Sequence, residues 1–213
     1  MTDSARWDSV LDCLPEKLRS DVPRETLEQL DRFTALLIEE NQSQNLVSPA
    51  SIPQLWTRHI LDGAQLYGLA GRQGSWCDIG SGPGLPGLVI AILGGRPITL
   101  SEPRKLRAAF LRRVVADLGL ERVSVAECKV ERLTGKFDFI TARAVAQLGK
   151  LFGMACHLAH SETKWMLPKG EKAQSELDEA RTTWQGGFCL VSSRTHPGSA
   201  IVIAENVQRR GKR

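Results

Sequence analysis

Residues 76–87 of this chain have the sequence WCDIGSGPGLPG, in which a short apolar run leads into a glycine-rich loop. The apolar run 76–79 predicts a β-strand, and the residues after the glycines, 85–93, predict a helix. Glycines in such a turn let the backbone approach a ligand closely, and the helix N-terminus adds free N–H groups and a positive dipole end. The stretch therefore predicts an α/β fold with a ligand site at the loop, where doubly wound sheets bind their ligands.

Strand and helix patterns alternate from this loop to the C-terminus. The further predicted strands are residues 97–100, 123–126, 137–141, 164–167, 188–192 and 199–204. The predicted helices between them are residues 106–118, 147–158 and 171–184. Alternation of this kind predicts a parallel sheet with both faces covered. The last two strands are joined by the turn His196-Pro197-Gly198 and must be antiparallel, because parallel neighbours need a long crossover. We therefore expect a mixed, seven-stranded sheet with a terminal antiparallel hairpin.

The first 70 residues predict helices only. Apolar side chains at spacings of three and four follow Pro23 and form one helix face: Leu27, Leu30, Phe33, Leu36, Leu37 and Ile38. The polar residues 41–48 and Pro49 predict the end of that helix. Ser51 is the predicted cap of a second helix that ends near Gly68. We expect a helical extension over residues 1–70 and a compact sheet domain over 71–213.

Composition excludes several classes of protein. The 213 residues are 42% hydrophobic and 24% charged, which is typical of a soluble globular chain rather than a fibrous or disordered one. The sequence shows neither an apolar run of membrane-spanning length nor a signal peptide. Five scattered cysteines without a CxxC pair predict a reduced, cytoplasmic protein without structural metal. The net charge of +4 permits a polyanionic partner without requiring one.

The spacing of the glycines restricts the ligand at the loop. Gly80, Gly82 and Gly84 give GxGxG, whereas Leu85 stands where the third glycine of the dinucleotide fingerprint would fall. The lysine of a phosphate-binding P-loop is absent as well. Glu102 ends the second predicted strand, where carboxylates of nucleotide-binding sheets meet ribose hydroxyls. The loop alone is equally compatible with a structural turn, but together with Glu102 and the hairpin it points to an adenosine ligand on a methyltransferase-type sheet.

Several segments resemble the glucose-inhibited division protein B family, bacterial methyltransferases that act on guanine N7 of 16S ribosomal RNA. The matching segments, in the family's order, are NLVS (45–48), LWTRHILD (55–62), residues 78–87, AAFLR (108–112), FDFITAR (137–143) and PKG (168–170). The glycine loop is common to many methyltransferases, whereas RHILD, ITAR and PKG are more particular. The sequence departs from the family at Gly63, where serine is usual, and at Lys129, where arginine is usual.

The resemblance implies a Rossmann-like class I methyltransferase that uses S-adenosylmethionine. The residues placed at the cofactor by position are Gly80, Gly82, Leu85, Glu102, Val130, Glu131 and Arg143. Arg143 is a candidate for either the methionine carboxylate or an RNA phosphate. Arg58, His59 and Lys169 are the predicted substrate-binding residues, and further candidates for RNA phosphates are Arg104, Lys105, Arg107, Arg112 and Arg113.

Methyl transfer to guanine N7 needs no general base, because the N7 lone pair is free. We therefore assign no catalytic side chain firmly and retain Arg143 and Lys169 as candidates. The expected partner is 16S rRNA or the small ribosomal subunit. We expect no metal and no membrane association, and a monomer, because nothing in the sequence demands a dimer.

Three other functions are compatible with parts of the sequence. The first is a methyltransferase of small molecules or proteins on the same fold. The second is a non-catalytic RNA-binding or assembly protein, which an intact glycine loop together with Glu102 disfavours. The third is a nicotinamide-dependent dehydrogenase, which Leu85 disfavours. The fold alone does not choose among them, because one fold hosts many functions.

Overall fold

The computed structural model describes residues 3–71 and 73–211, and within them the chain forms one seven-stranded sheet flanked by helices. The strands are β1 (Trp76–Ile79), β2 (Ile98–Ser101), β3 (Val123–Ala126), β4 (Phe137–Ala142), β5 (Ala159–Lys169), β6 (Trp184–Ser192) and β7 (Ala200–Arg209). The α-helices are α1 (Asp3–Leu11), α2 (Glu16–Arg19), α3 (Arg24–Gln44), α4 (Leu61–Ala70), α5 (Gly87–Gly94), α6 (Lys105–Asp117), α7 (Leu148–Ala155) and α8 (Ala173–Thr183). Short 3₁₀ segments at Pro49–Gln54, Val130–Arg132 and Cys156–Leu158 and a π-helical turn at Trp56–Ile60 complete the elements.

The sheet topology confirms the predicted mixture of parallel and antiparallel strands. The spatial order is β3-β2-β1-β4-β5-β7-β6, and the first five strands are parallel. Strand β7 is antiparallel to both β5 and β6, so the chain closes in the expected hairpin with its turn at His196–Gly198. The strand order reverses between β1 and β4, and ligands of open α/β sheets bind at such a switch point.

The sheet separates two hydrophobic cores, because successive side chains of a strand point to opposite faces. One core contains Trp76, Leu100, Phe139, Met166 and Ile201 from the strands, together with the apolar sides of α3, α4, α5 and α6. The other lies under α7 and α8. Phe152 of α7 packs there edge-on against Trp165 and Trp184, with ring centroids 5.2 and 5.7 Å apart.

The N-terminal helices share their core with the sheet. Val10 of α1, Leu30 of α3 and Trp56 belong to the same buried cluster as Val89 of α5. The indole N–H of Trp56 donates to the carbonyl oxygen of Arg6, 2.9 Å away, which fixes α1 against the π-helical turn. The division of the chain at residue 70 into an extension and a methyltransferase domain stays a prediction. No helix within the described ranges has the length and apolarity needed to cross a membrane.

Several predicted boundaries in the N-terminal region were wrong. Helix α3 continues to Gln44, and buried Asn41 within it accepts a hydrogen bond from the N–H of Val47 in the following loop at 2.8 Å. Ile38 lies outside the buried face and is 41% exposed. Ser51 caps no helix: its hydroxyl donates to the carbonyl of Ser48 within a 3₁₀ segment. The predicted second helix is a 3₁₀ segment, a π-helical turn and α4 in succession.

The hairpin and its neighbours also differ from the prediction. Strand β5 is longer than residues 164–167, because β7 pairs with it from Lys164 to Lys169 and β4 extends its pairing back to Ala159. Trp184, expected to end a helix, begins β6 opposite Arg209. Pairing between strands remote in sequence sets these ends, and local propensity contains no information about it. Trp56, Trp76 and Trp184 are buried.

The close approach of α4 to α5 leaves no room for a side chain at Gly63. A Cβ atom at Gly63 would lie 2.5 Å from the Cβ of Val89 and 3.2 Å from the carbonyl oxygen of Pro86. We expect Gly63→Ala to lower the free energy of unfolding by about 1–3 kcal/mol, because the two helices must separate to admit a methyl group. Urea denaturation measures this loss. The double variant with Val89→Gly, which removes the opposing Cβ, should lose less stability than the two single variants added together, and strict additivity would contradict the proposed contact.

Candidate functional site

The glycine loop leaves β1 in a left-handed conformation and is fixed by a buried carboxylate. Gly80 has φ +63° and Gly82 has φ +53°. Glu102, only 3% exposed at the end of β2, accepts the N–H of Gly82 on one oxygen and the N–H of Arg104 on the other, both at 2.8 Å. Each carboxylate oxygen has two lone pairs, so both retain capacity for a ligand hydroxyl. Glu102 thus shapes the loop as well as standing at the predicted ribose position.

Asp78 is a fully buried carboxyl group beneath the same loop. Its Oδ2 accepts the N–H of Gly87 at the start of α5, 3.1 Å away. Its Oδ1 is buried and has no hydrogen-bond partner among the described residues. Burial, the largest cause, raises the pKa of Asp78 from 3.8 to about 7, while the hydrogen bond from the N–H of Gly87 opposes the rise. The Ser81 hydroxyl donates to the main-chain carbonyl of Asp78 and leaves Oδ1 unpaired. The site therefore contains an incompletely paired carboxyl group that a cationic ligand would stabilise in its charged form.

The raised pKa of Asp78 makes stability depend on pH. Between about pH 4 and 7 the unfolded chain has lost this proton and the folded chain keeps it, so stability falls as the pH rises through that interval. The shift corresponds to up to ~4 kcal/mol. We expect Asp78→Asn to flatten the decline measured by urea denaturation at pH 4, 5.5 and 7. Parallel curves for the two proteins would contradict the assignment.

A cleft of about 730 Å³ opens at the carboxyl ends of β4 and β5. Four segments form its walls: the π-helical turn before α4, the loop after β4, the end of β5 with the start of α8, and the loop between β6 and β7. The lining residues used below are Arg58, His59, Asp62, Arg143, Val145 and Lys169. The three predicted substrate-binding residues, Arg58, His59 and Lys169, therefore lie in one cavity together with Arg143.

A polar cluster joins three of the walls of the cleft. The Arg143 guanidinium lies 3.1 Å from Oδ2 of Asp62, and the two side chains are only 19% and 13% exposed. The same Nη1 lies 2.6 Å from Nδ1 of His59. The Thr195 hydroxyl, from the β6–β7 loop, donates to Oδ1 of Asp62 at 2.7 Å. The positive charge of Arg143 is thus neutralised by the carboxylate of Asp62 at the side of the cleft.

Lys169 fixes the loop after β4 rather than projecting freely into the cleft. Its Nζ donates to the carbonyl of Ala146 at 2.7 Å and to Oε2 of Glu176 at 2.8 Å. The same Glu176 oxygen accepts the N–H of Leu148 at the start of α7. Ala144, in this loop, has a positive φ of 56°, a conformation that alanine rarely adopts. The contacts of Lys169 therefore hold a strained segment in place.

The cleft adjoins the glycine loop through Val145. A Cβ atom built on Gly80 would lie 2.8 Å from Cγ2 of Val145, so this cleft-lining side chain covers the first glycine of the loop. The two candidate sites, one at the end of β1 and one at the end of β4, are neighbours across the switch point of the sheet.

The remaining predicted site residues lie in the hydrophobic cores, on the exposed surface or in ion pairs. Leu85 is 3% exposed and Val130 is 5% exposed, and both side chains pack in the cores. Glu131 is exposed in the 3₁₀ segment after β3. On α6, Arg112 pairs with Glu127 and Arg113 with Glu40, whereas Arg104 and Lys105 are exposed at its start. Arg107 lies beside Gly82, with its Nη1 3.6 Å from the position of a Cβ on that glycine.

Four residues that build the cleft had no predicted role from the sequence alone. Asp62 belonged to a quoted motif, LWTRHILD, which was the available signal for it. Val145, Glu176 and Thr195 had no such signal, because their roles arise from contacts with residues distant in the chain. Among the described residues, no group of three His, Cys, Asp or Glu side chains is arranged to hold a metal ion.

Comparison with known proteins gives close relatives and more distant structural neighbours. A family model described as rRNA small subunit methyltransferase G matches residues 26–195. The ribosomal RNA small subunit methyltransferase G of Rhizorhabdus wittichii is 43% identical over 196 residues, covering 90% of each chain. That of Sphingopyxis alaskensis is 45% identical over 190 residues, covering 86% of this chain and 82% of the relative.

Solved structures confirm the predicted fold class. The glycopeptide N-methyltransferase MtfA, solved with sinefungin, aligns with a TM-score of 0.59 at 10% identity, covering 70% of this chain and 94% of that one. The shared architecture is the Rossmann-like fold of class I methyltransferases. At this identity the likeness concerns the fold alone.

Proposed function

We propose, because this chain belongs to the rRNA small subunit methyltransferase G family, that it transfers a methyl group from S-adenosylmethionine to N7 of a guanine in 16S ribosomal RNA. The observation that carries the proposal is the contact between Val145 and Gly80, because it joins a nucleotide-type loop to a separate cleft. Transfer between two bound molecules needs such neighbouring sites, which align the reacting atoms.

The residues around the loop fit S-adenosylmethionine. The buried, unpaired Oδ1 of Asp78 suits a ligand with positive charge. Glu102 at the end of β2 suits the ribose hydroxyls, and the bare backbone of Gly80 and Gly82 permits close approach. When bound, this cofactor supplies an electrophilic methyl group on a sulfonium sulfur. Gly80, Gly82, Glu102 and the more distant Glu131 are the residues to which we assign its binding.

The cleft supports an acceptor atom that carries a free lone pair. Asp62 is paired with Arg143, Glu176 is paired with Lys169, and Nδ1 of His59 accepts a hydrogen bond from Arg143. Burial, followed by the charges of Arg143 and Arg58, lowers the pKa of His59 to about 3. These groups are poorly suited to remove a proton. Guanine N7 requires no base, because its lone pair forms the new bond as the carbon–sulfur bond breaks and the sulfur keeps the electron pair.

RNA binding is supported by the exposed cations near the two sites. Arg58 lies at the cleft, and Arg104 and Lys105 lie at the start of α6 beside the loop. Contacts between such groups and phosphates make binding depend on salt. We assign Arg112 and Arg113 a structural role instead, because each is paired with a carboxylate of this chain. We place the activity in the cytoplasm of a bacterial cell and assign it to a monomer.

The proposed function is tested with labelled S-adenosylmethionine and small ribosomal subunits, or naked 16S rRNA, that lack their own modification at the target base. We expect incorporation of label at one nucleotide, mapped as N7-methylguanine. No transfer to either form of RNA, despite measurable cofactor binding, would contradict the rRNA assignment. Transfer to a small molecule or a protein instead would favour the second candidate activity.

A further inference from the structure

His59 has a ring nitrogen whose partner the protein itself does not supply. It lies in the π-helical turn Trp56–Ile60 at the wall of the cleft, and such turns frequently occur at functional sites. Its Nδ1 is 2.6 Å from Nη1 of Arg143. A guanidinium only donates hydrogen bonds, so Nδ1 must be the acceptor and the proton of the neutral ring is assigned to Nε2.

The Nε2–H group of His59 is buried and has no hydrogen-bond partner among the described residues. Buried donors in folded proteins are almost always paired, because an unpaired donor is destabilising. The ring cannot rotate to relieve this without giving up the contact with Arg143, which Asp62 keeps in place at 3.1 Å. His59 lines the cleft, and its Nε2 is closed to solvent in this structure, so an acceptor atom of a bound molecule reaches this nitrogen only when a covering side chain moves aside.

The neutral N–H group of His59 restricts which purine base can serve as its hydrogen-bond acceptor. On its major-groove edge guanine carries N7 and O6, both acceptors, whereas adenine carries a donor amino group in the position of O6. A neutral N–H directed at O6 leaves the lone pair of N7 free for methylation. It also places no additional positive charge beside a purine that becomes cationic in the reaction. The low pKa of His59 keeps the ring neutral at physiological pH.

We propose that Nε2–H of His59 donates a hydrogen bond to O6 of the methyl-accepting guanine and so determines the choice of base. This inference rests on the proposed function, which supplies the guanine. Arg143 and Asp62 are positioning residues in this arrangement, because they fix the tautomer and the orientation of the ring. Thr195 connects Asp62 to the β6–β7 loop on the opposite wall.

The test compares guanine with 2-aminopurine, which keeps N7 and lacks O6, at the mapped target nucleotide of small-subunit particles. The particles contain 16S rRNA joined from synthetic and transcribed pieces. We expect the wild-type protein to show a kcat/KM roughly 10- to 100-fold higher for guanine. His59→Phe, which removes both ring nitrogens, should lower kcat/KM on guanine and bring the ratio of the two substrates close to one.

Two further variants separate recognition from structure. His59→Gln carries an amide N–H near the position of Nε2, and we expect it to keep part of the preference. His59→Asn keeps an acceptor for Arg143 but does not extend as far as Nε2, so its preference should be lost while its thermal unfolding and cofactor binding remain close to wild type. This variant also provides the test if His59→Phe does not fold.

The inference is overturned if the wild-type protein does not distinguish the two bases, or if His59→Phe or His59→Asn keeps the wild-type ratio while losing activity. An absence of transfer to guanine by the wild-type protein, with cofactor still bound, is a different result. It would overturn the proposed function itself and the inference with it.

Discussion

Gly80→Asp is expected to weaken the binding of S-adenosylmethionine by at least about 100-fold, equivalent to ~2.7 kcal/mol, and to abolish methyl transfer. Gly80 is the first glycine of the loop, and its backbone has φ +63°. An added Cβ would lie 2.8 Å from Cγ2 of Val145, and the carboxylate would enter the junction between the loop and the cleft. Equilibrium binding of the labelled cofactor measures the effect directly.

Gly119→Asp is the matched control for this variant. Gly119 has nearly the same backbone conformation, with φ +61°, and nothing lies within 4 Å of the position of its Cβ. Both variants carry the cost of a non-glycine residue at positive φ and the same added charge. Only Gly80→Asp should lose cofactor binding. Equal binding by the two variants would contradict the placement of the cofactor at this loop.

Arg143→Met is expected to lower the free energy of unfolding by about 3 kcal/mol, measured by urea denaturation at neutral pH. The substitution leaves the carboxylate of Asp62 without its charged partner at a position where that side chain is only 13% exposed. His59 loses its hydrogen-bond donor at the same time. The penalty arises from the uncompensated charge, so adding Asp62→Asn to Arg143→Met should recover part of the loss.

Arg32→Met is the control, because Arg32 also pairs with an aspartate but at the surface. It contacts both oxygens of Asp117 at 2.8 Å, a better geometry than that of Arg143, yet the side chains are 54% and 30% exposed. Exposed ion pairs contribute little, because water and salt screen them. We expect a much smaller loss than for Arg143→Met. Equal losses, or no recovery in the double variant, would contradict the importance of burial at Asp62.

Local sequence signals were sufficient for the sheet and for the glycine loop. Strand β1, the glycines after it and Glu102 at the end of β2 lie close together in the chain, and short-range turn chemistry places them. The antiparallel hairpin followed from the short connection around His196–Gly198, because no parallel arrangement fits so few residues. The length of β5 and the start of β6 at Trp184 did not follow, since they depend on pairing with β7.

The contacts of the cleft residues, in contrast, could not be predicted from local sequence signals. Lys169 was expected to bind substrate, and its position at the end of β5 places it in the cleft, but its Nζ is bonded to Ala146 and Glu176. Arg143 was a candidate for the cofactor or an RNA phosphate, and its guanidinium lies against Asp62 and His59. The roles of these two cations in binding stay predictions. A sequence gives the identity of a cation, and only its neighbours decide whether its charge is already neutralised.

The sequence by itself determined the order of strands and helices from β1 to β7, the glycine loop, and the family to which the chain belongs, because each depends on patterns within short segments. Only the tertiary structure decided what the cleft contains. Asp62, Arg143 and Thr195 are separated by many residues in the chain and meet because the sheet brings the ends of β4 and β6 beside α4. Their contacts set the tautomer of His59 and leave its Nε2 unpaired. Both features depend on three-dimensional packing, which no single segment of the sequence encodes.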